Sequence, residues 1–176
     1  MDRLVWRAMH FAIAVHGGQV RKYTGEPYWK HAAEVVGILS AASGVTSEML
    51  AAAWLHDVIE DTDTTIEEVA REFGDEVARL VRGVSDISRP GDGSRSRRKQ
   101  IDREHVAAGC WMIQSIKLAD SISNAGSVIT HDLTFAKVYV PEKRALLELL
   151  TKGDRNLLSL AWAIIEDAER HLGLAQ

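Results

Sequence analysis

Residues 47–61 read Ser47-Glu48-Met49-Leu50-Ala51-Ala52-Ala53-Trp54-Leu55-His56-Asp57-Val58-Ile59-Glu60-Asp61. A helix is expected from about Ser47 to Glu60, and from Leu50 to Leu55 it is apolar nearly all round, the pattern of a helix buried on every side at the centre of a bundle. It then delivers an imidazole and a carboxylate, His56-Asp57, with two more carboxylates three and four residues beyond Asp57. Buried ionisable groups are costly unless paired or bound to a metal. The most apolar helix of the chain therefore ends in the residues that most need a partner.

The flanking segments supply the rest of such a bundle. Residues 2–16 place Val5, Met9, Ala12 and Ile13 on one helical face, and a second helix over about 29–42 turns Ala32, Val35, Val36 and Leu39 inward. Between them, residues 17–28 form a glycine-rich loop. Thr64-Thr65-Ile66-Glu67 has the form of a capping box and Gly74 is a plausible stop, which brackets a fourth helix. A fifth covers about 75–82. Residues 85–99 read as the least structured stretch, with five basic and two acidic residues for a local charge of +3. Helices follow over about 100–130 with a break near Gly109, over 141–151 with Pro141 in the first turn, and over 154–171 with Asp154 as N-cap. No repeat and no strand pattern interrupts them. The expectation is an all-α bundle of roughly eight to ten helices forming one domain over residues 1–176.

Composition narrows the function. Among 176 residues, 21 Lys and Arg stand against 25 Asp and Glu, a formal charge of −4. That balance argues against a generic nucleic-acid binder. No stretch approaches the ~20 apolar residues of a membrane span, and the charged start Met1-Asp2-Arg3-Leu4-Val5-Trp6-Arg7 is unlike a secretory signal. The one cysteine, Cys110, leaves no internal disulfide and no Cys-rich zinc site, which fits a cytoplasmic protein. Any bound metal falls to His and carboxylates.

Those candidates are His31, the adjacent pair His56-Asp57, and Asp120 in the apolar setting Ile116-Lys117-Leu118-Ala119-Asp120. Singly, each is the kind of residue that caps helices or fills polar gaps. Together, two imidazoles and two carboxylates suit a divalent manganese, iron or zinc ion with positions left for water. Glu60 and Asp61 share the helical face of Asp57 and would border that ion as an acid–base pair. By spacing alone they read equally well as a solvated helix end.

The local sequences are those of a known family. His16-Gly17-Gly18-Gln19-Val20-Arg21-Lys22, Gly25-Glu26-Pro27-Tyr28-Trp29-Lys30-His31, Ala53-Trp54-Leu55-His56-Asp57-Val58-Ile59-Glu60-Asp61-Thr62, and Ile116-Lys117-Leu118-Ala119-Asp120 with Asn124 occur in order. They resemble the hydrolase domain of RelA/SpoT proteins, within the HD phosphohydrolase superfamily, over roughly residues 8–150. In length the chain is similar to the stand-alone small alarmone hydrolases, such as the metazoan SpoT homologues. The resemblance implies a manganese-dependent enzyme that cleaves guanosine 3′,5′-bispyrophosphate at the 3′-pyrophosphate, giving GDP or GTP and pyrophosphate. It makes His31, His56, Asp57 and Asp120 the metal ligands and Glu60-Asp61 the catalytic acidic pair. Arg21, Lys22, Lys99 and Asn124 become substrate-binding residues, with Arg98 a weaker match than Lys99.

The sequence departs from the pattern in places. Ala32 stands where the family often has Pro, and Ser121-Ile122-Ser123-Asn124-Ala125 replaces the Arg-Leu-His-Asn-Met of long members. His16 reads as a residue orienting the loop, and Tyr139 takes no role. The partner implied is a guanine-nucleotide alarmone, with no nucleic acid and no membrane; a homo-oligomer is compatible with the sequence. Two rival readings keep the same pocket. One is an HD phosphohydrolase acting on NADPH or a nucleoside monophosphate. The other is a module that binds an alarmone without cleaving it.

Overall fold

In the computed structural model, which describes residues 2–174, the apolar run does take the centre. The order is α1 (Arg3–Val15), α2 (Trp29–Leu39), α3 (Ser47–Leu55), α4 (Val58–Asp61), α5 (Ile66–Phe73), α6 (Asp75–Val84), α7 (Arg95–Ala108), α8 (Trp111–His131), α9 (Leu133–Leu147) and α10 (Arg155–Leu172). Met49 and Ala51 to Leu55 of α3 are all buried. Helix α3 packs against α1, α2, α6 and α8, while α8 also carries α9 and α10. The small side chains of Ala51, Ala52 and Ala53 let four neighbours approach one helix, as interior close packing requires. No strand occurs among the described residues; the glycine-rich loop closes through a single antiparallel bridge between Val20 and Pro27. The all-α architecture is as expected.

Caps fix the helix starts. Asp2, Thr46, Thr65, Asp132 and Asp154 each accept a hydrogen bond from a backbone N–H of the turn they begin. Ser94 does the same for α7 through the N–H of Arg97, at 3.3 Å. The stretch 85–99, expected to be the least structured, is thus irregular only in its first part: from Arg95 onward the basic run is helical. The expected break near Gly109 separates α7 from α8.

Two boundaries differ in ways that matter for the site. The helix expected over 47–60 is broken at His56-Asp57, so Asp57 begins α4 rather than continuing α3. The helix expected to start at Pro141 begins at Leu133, with Pro141 inside it. Proline favours first turns, but Asp132 offers the stronger start, accepting the N–H of Phe135 at 2.9 Å.

The turn between α9 and α10 is tied to α8. The side chain of Gln114 accepts the N–H of Lys152 at 2.8 Å and donates to the carbonyl of Ala107 at 2.9 Å. Beside it the chain passes so close to α8 that a Cβ on Gly153 would lie 2.6 Å from Leu118 Cδ1. Leu118 is fully buried and cannot swing away. Gly153→Ala is therefore expected to cost about 2 kcal/mol by overpacking, which would lower the thermal midpoint by roughly 4–8 °C. A calorimetric melt with an unchanged midpoint would contradict this packing.

Candidate metal centre and the cavity beside it

The break between α3 and α4 brings neighbouring residues onto one point. On an unbroken helix His56 and Asp57 would diverge by about 100°. Here Asp57 Oδ2 lies 2.9 Å from His56 Nε2. Helix α2 contributes His31, whose Nε2 is 3.2 Å from His56 Nε2 and 3.6 Å from Asp57 Oδ2. Helix α8 contributes Asp120, whose Oδ1 lies 3.4 Å from His31 Nε2 and 3.7 Å from His56 Nε2. All four sequence-predicted ligands thus converge, and three of them, His31, His56 and Asp57, hold ligand atoms within 4.8 Å of one another. Both imidazoles are 2% exposed, so water cannot satisfy them.

The outer nitrogens define the inner ones. His56 Nδ1 donates to the carbonyl of Ala53 at 2.9 Å. His31 Nδ1 donates to Ser123 Oγ at 3.0 Å, because the Ser123 hydroxyl gives its own proton to Glu34 Oε2 at 2.8 Å. With both Nδ1 atoms engaged by these outer partners, each ring turns its Nε2 inward, the nitrogen left to face a metal. Separations of 2.9–3.7 Å are those of ligand atoms sharing one ion at bonds of ~2.1 Å. Electrostatics agree. Burial opposes a proton on His56, yet the carboxylates of Asp57 and Asp120 outweigh it and lift its pKa well above the usual value. Asp57 and Asp120 stay ionised despite their burial. The pocket is built to draw in positive charge, and the donor set fits a divalent cation.

The surrounding groups hold the carboxylates. Tyr28 donates its hydroxyl to Asp57 Oδ2 at 2.6 Å. Lys117 Nζ lies 3.2 Å from Asp120 Oδ2, and Asn124 Nδ2 donates to Asp120 Oδ1 at 2.6 Å. Asn124 sits one turn after Asp120, as its spacing implied, and it lines the cavity beside the ligands. Tyr28 and Lys117 lay inside the quoted motifs, but their pattern carried no sign that they would reach Asp57 and Asp120.

Glu60 and Asp61 stand at the mouth on α4, their backbone N–H groups bonded to the Asp57 carbonyl at 3.1 and 2.9 Å. Both are exposed and line a shallow hollow with Gln19 rather than the main cavity. The protein around Glu60 desolvates it enough, with Asp57 adding repulsion against the pull of Lys117, to push its pKa up to about 7. Asp61 is raised by the same burial and by Asp57. One oxygen of Glu60 accepts the N–H of Asp86 at 3.0 Å. His16 is structural, as expected. Its ring bonds to Gln19 at 2.8 Å, and Gln19 donates to the carbonyl of Asp61 at 2.7 Å, tying the glycine-rich loop to α4.

The main cavity, of about 270 Å³, opens from Asp57 and Asp120 between two helical stripes. Helix α7 presents Arg95, Lys99, Asp102, Arg103 and Val106; α9 presents Phe135, Tyr139, Glu142, Lys143 and Leu146. Both stripes follow the same i, i+4, i+7, i+8, i+11 spacing. Arg95 joins them by a two-pronged bond to Glu142 at 2.8 and 2.9 Å. Five basic and five acidic side chains line the space, so a bound cation tips its charge in favour of an anion. Lys99 faces in, held by Asp86 at 2.7 Å.

Arg21 and Lys22 lie outside this lining. Arg21 pairs with Glu34 at 2.6 Å, and so ends the chain Arg21–Glu34–Ser123–His31. Lys22 is exposed, with its ammonium 4.7 Å from the centre of the Tyr23 ring and 3.7 Å from Asp132. No helix among the described residues is long and apolar enough to cross a membrane.

Comparison with known proteins places this arrangement. A family model described as an HD domain matches residues 8–128. The chain is 48% identical over 85 residues to the guanosine-3′,5′-bis(diphosphate) 3′-pyrophosphohydrolase of Aquifex aeolicus, covering 48% of this chain but only 12% of that one. It is 37% identical over 123 residues to the enzyme of the same name from Xenopus tropicalis, covering 69% of this chain and 67% of the other. Among solved structures it superimposes on a metazoan ortholog of SpoT, described as hydrolysing ppGpp, with a TM-score of 0.83 and 28% identity over 99% of this chain and 98% of that one. With these His and Asp side chains converging inside the matched segment, the chain belongs to the HD-domain family, and it is similar to the metazoan SpoT ortholog and the Xenopus tropicalis protein over most of its length.

Proposed function

We propose that this chain is a metal-dependent guanosine-3′,5′-bis(diphosphate) 3′-pyrophosphohydrolase, with manganese held by His31, His56, Asp57 and Asp120. The observation that carries the reading is the meeting of two inward Nε2 atoms and two carboxylates beside a mouth carboxyl whose pKa is near neutrality. When bound, the ion supplies charge to the 3′-diphosphate and acidifies a water.

The protein's own residues do the rest. Glu60, poised near pH 7, takes the proton of the attacking water, with one of its oxygens held by the Asp86 N–H. Asp61 adds a second acceptor at the same mouth. The water oxygen bonds to the phosphorus attached to O3′, the P–O3′ bond breaks, and the proton taken up by Glu60 is returned to O3′, which leaves as the ribose hydroxyl. The products are pyrophosphate and GDP or GTP. Tyr28, Lys117 and Asn124 keep Asp57 and Asp120 in place through the cycle. Lys99 and Asn124 meet the phosphates from the cavity wall. The direct role for Arg21 is better replaced by a positioning one, through Glu34 and Ser123 onto His31. Lys22, exposed at the loop tip, is free to meet the nucleotide from outside.

A manganese-supplemented assay with guanosine tetraphosphate, NADPH and deoxynucleoside monophosphates, read by chromatography, tests the substrate class. Turnover confined to NADPH would reassign it, and binding of guanosine tetraphosphate without products would make the protein a sensor. His56→Ala should abolish metal binding and turnover while leaving the circular dichroism of the helices largely intact. Normal turnover of that variant with added manganese would refute the ligand assignment. Glu60→Gln should keep the metal and lose ~10²-fold in kcat, the scale of a general base; loss of metal would instead make Glu60 a ligand. Ser123→Ala should weaken manganese binding by about tenfold, the typical effect of releasing the outer nitrogen of a ligating histidine. Unaltered metal affinity would show that the Ser123 link is dispensable.

A further inference from the structure

Most cations of the cavity are already matched. Arg95 is bonded to Glu142, Lys99 to Asp86, and Lys117 to Asp120. Lys143 is different. It lines the cavity from α9, yet no carboxylate lies within 4.0 Å of its ammonium among the described residues, and the centre of the Tyr139 ring is 5.1 Å from it. Burial, with Lys117 and Lys99 close by, pushes its pKa down to about 8 against the pull of Asp120. Tyr139, one turn earlier, is only 8% exposed and lines the same space, and its hydroxyl is buried without any hydrogen-bond partner. A buried hydroxyl without a partner is costly and demands explanation. On the opposite wall Arg103 of α7 likewise has no carboxylate partner among the described residues.

An unmatched ammonium, a donor hydroxyl with nothing to donate to, and a free guanidinium share one remedy, a multiply charged oxyanion between them. Of the four groups assigned to the metal, Asp57 and Asp120 line another part of the cavity, with His31 and His56 beside them. We propose that Tyr139 and Lys143, faced by Arg103, form a second anion subsite that grips the 5′-diphosphate, the phosphate chain that is not cut. This rests on the reading of the protein as an alarmone hydrolase and deepens it. Grip at this end would orient the 3′-diphosphate toward His31, His56, Asp57 and Asp120, and would select nucleotides phosphorylated at both ends. Tyr139 and Lys143 stand four residues apart on one helix, so the pair acts as a unit.

The test is calorimetric titration of the manganese-loaded protein with GDP, which keeps the 5′-diphosphate and lacks the group that is cleaved, and with guanosine as control. Lys143→Met should bind GDP at least tenfold more weakly, the scale of losing a charge-assisted bond to phosphate. Its guanosine affinity, manganese affinity and helical content should be unchanged. Lys143→Arg should recover most of the loss, and Tyr139→Phe, which removes only the hydroxyl, should weaken GDP by a few-fold. Equal GDP affinity in the wild-type and Lys143→Met proteins would overturn the subsite, as would a Lys143→Met protein that loses manganese along with GDP. Because GDP binding needs no turnover, a failure to hydrolyse guanosine tetraphosphate would strike the proposed activity and leave this measurement standing.

Discussion

The structure depends on bringing a buried carboxylate, a half-buried one and two buried imidazoles to one point inside a helical bundle. Each group alone would be expensive in the interior, and the like charges of Asp57 and Asp120 would repel. The cost is tolerable only because every ligand has a second contact that fixes it: Ala53 behind His56, Ser123 behind His31, Tyr28 on Asp57, and Lys117 with Asn124 on Asp120. The helices that carry these contacts are the ones that pack on α3. Core packing and site geometry are therefore one problem solved once.

The sequence made much of this visible. The continuous apolar run of α3 marked the central helix, and His56-Asp57 at its end, with Asp120 in an apolar setting and His31, stood out as candidate ligands before any relative was considered. Ordered motifs then added roles that spacing left open, notably for Glu60 and Asp61. What stayed hidden were contacts between elements remote in the chain. Nothing local in Ser123 shows that it would sit between His31 and Glu34, and nothing in Tyr28 shows that it would reach Asp57. The basic pair Arg21-Lys22 illustrates the converse: its motif pointed to the nucleotide, while the fold gives Arg21 to Glu34 and leaves Lys22 at the surface.

The α9 wall was obscured for a specific reason. Reading Pro141 as a helix start cut the stripe Phe135, Tyr139, Glu142, Lys143, Leu146 in two, so its periodicity could not be recognised. A strong N-cap at Asp132 overrode the proline signal. Likewise, the density of Arg and Lys in residues 95–99 masked a helix that Ser94 begins. In both cases a capping side chain decided the boundary against composition, and in both cases the hidden helix forms a wall of the cavity.

The interruption between Leu55 and Val58 has a further consequence. Because Asp57 departs from the axis of α3 while Glu60 and Asp61 follow it round the single turn of α4, the angular relation of imidazole, carboxylates and mouth is set by the count of residues in that junction. Substitutions here alter one group at a time, but an insertion or deletion of a single residue would displace everything downstream relative to α3 at once. At this corner the count of residues therefore matters as well as their identity.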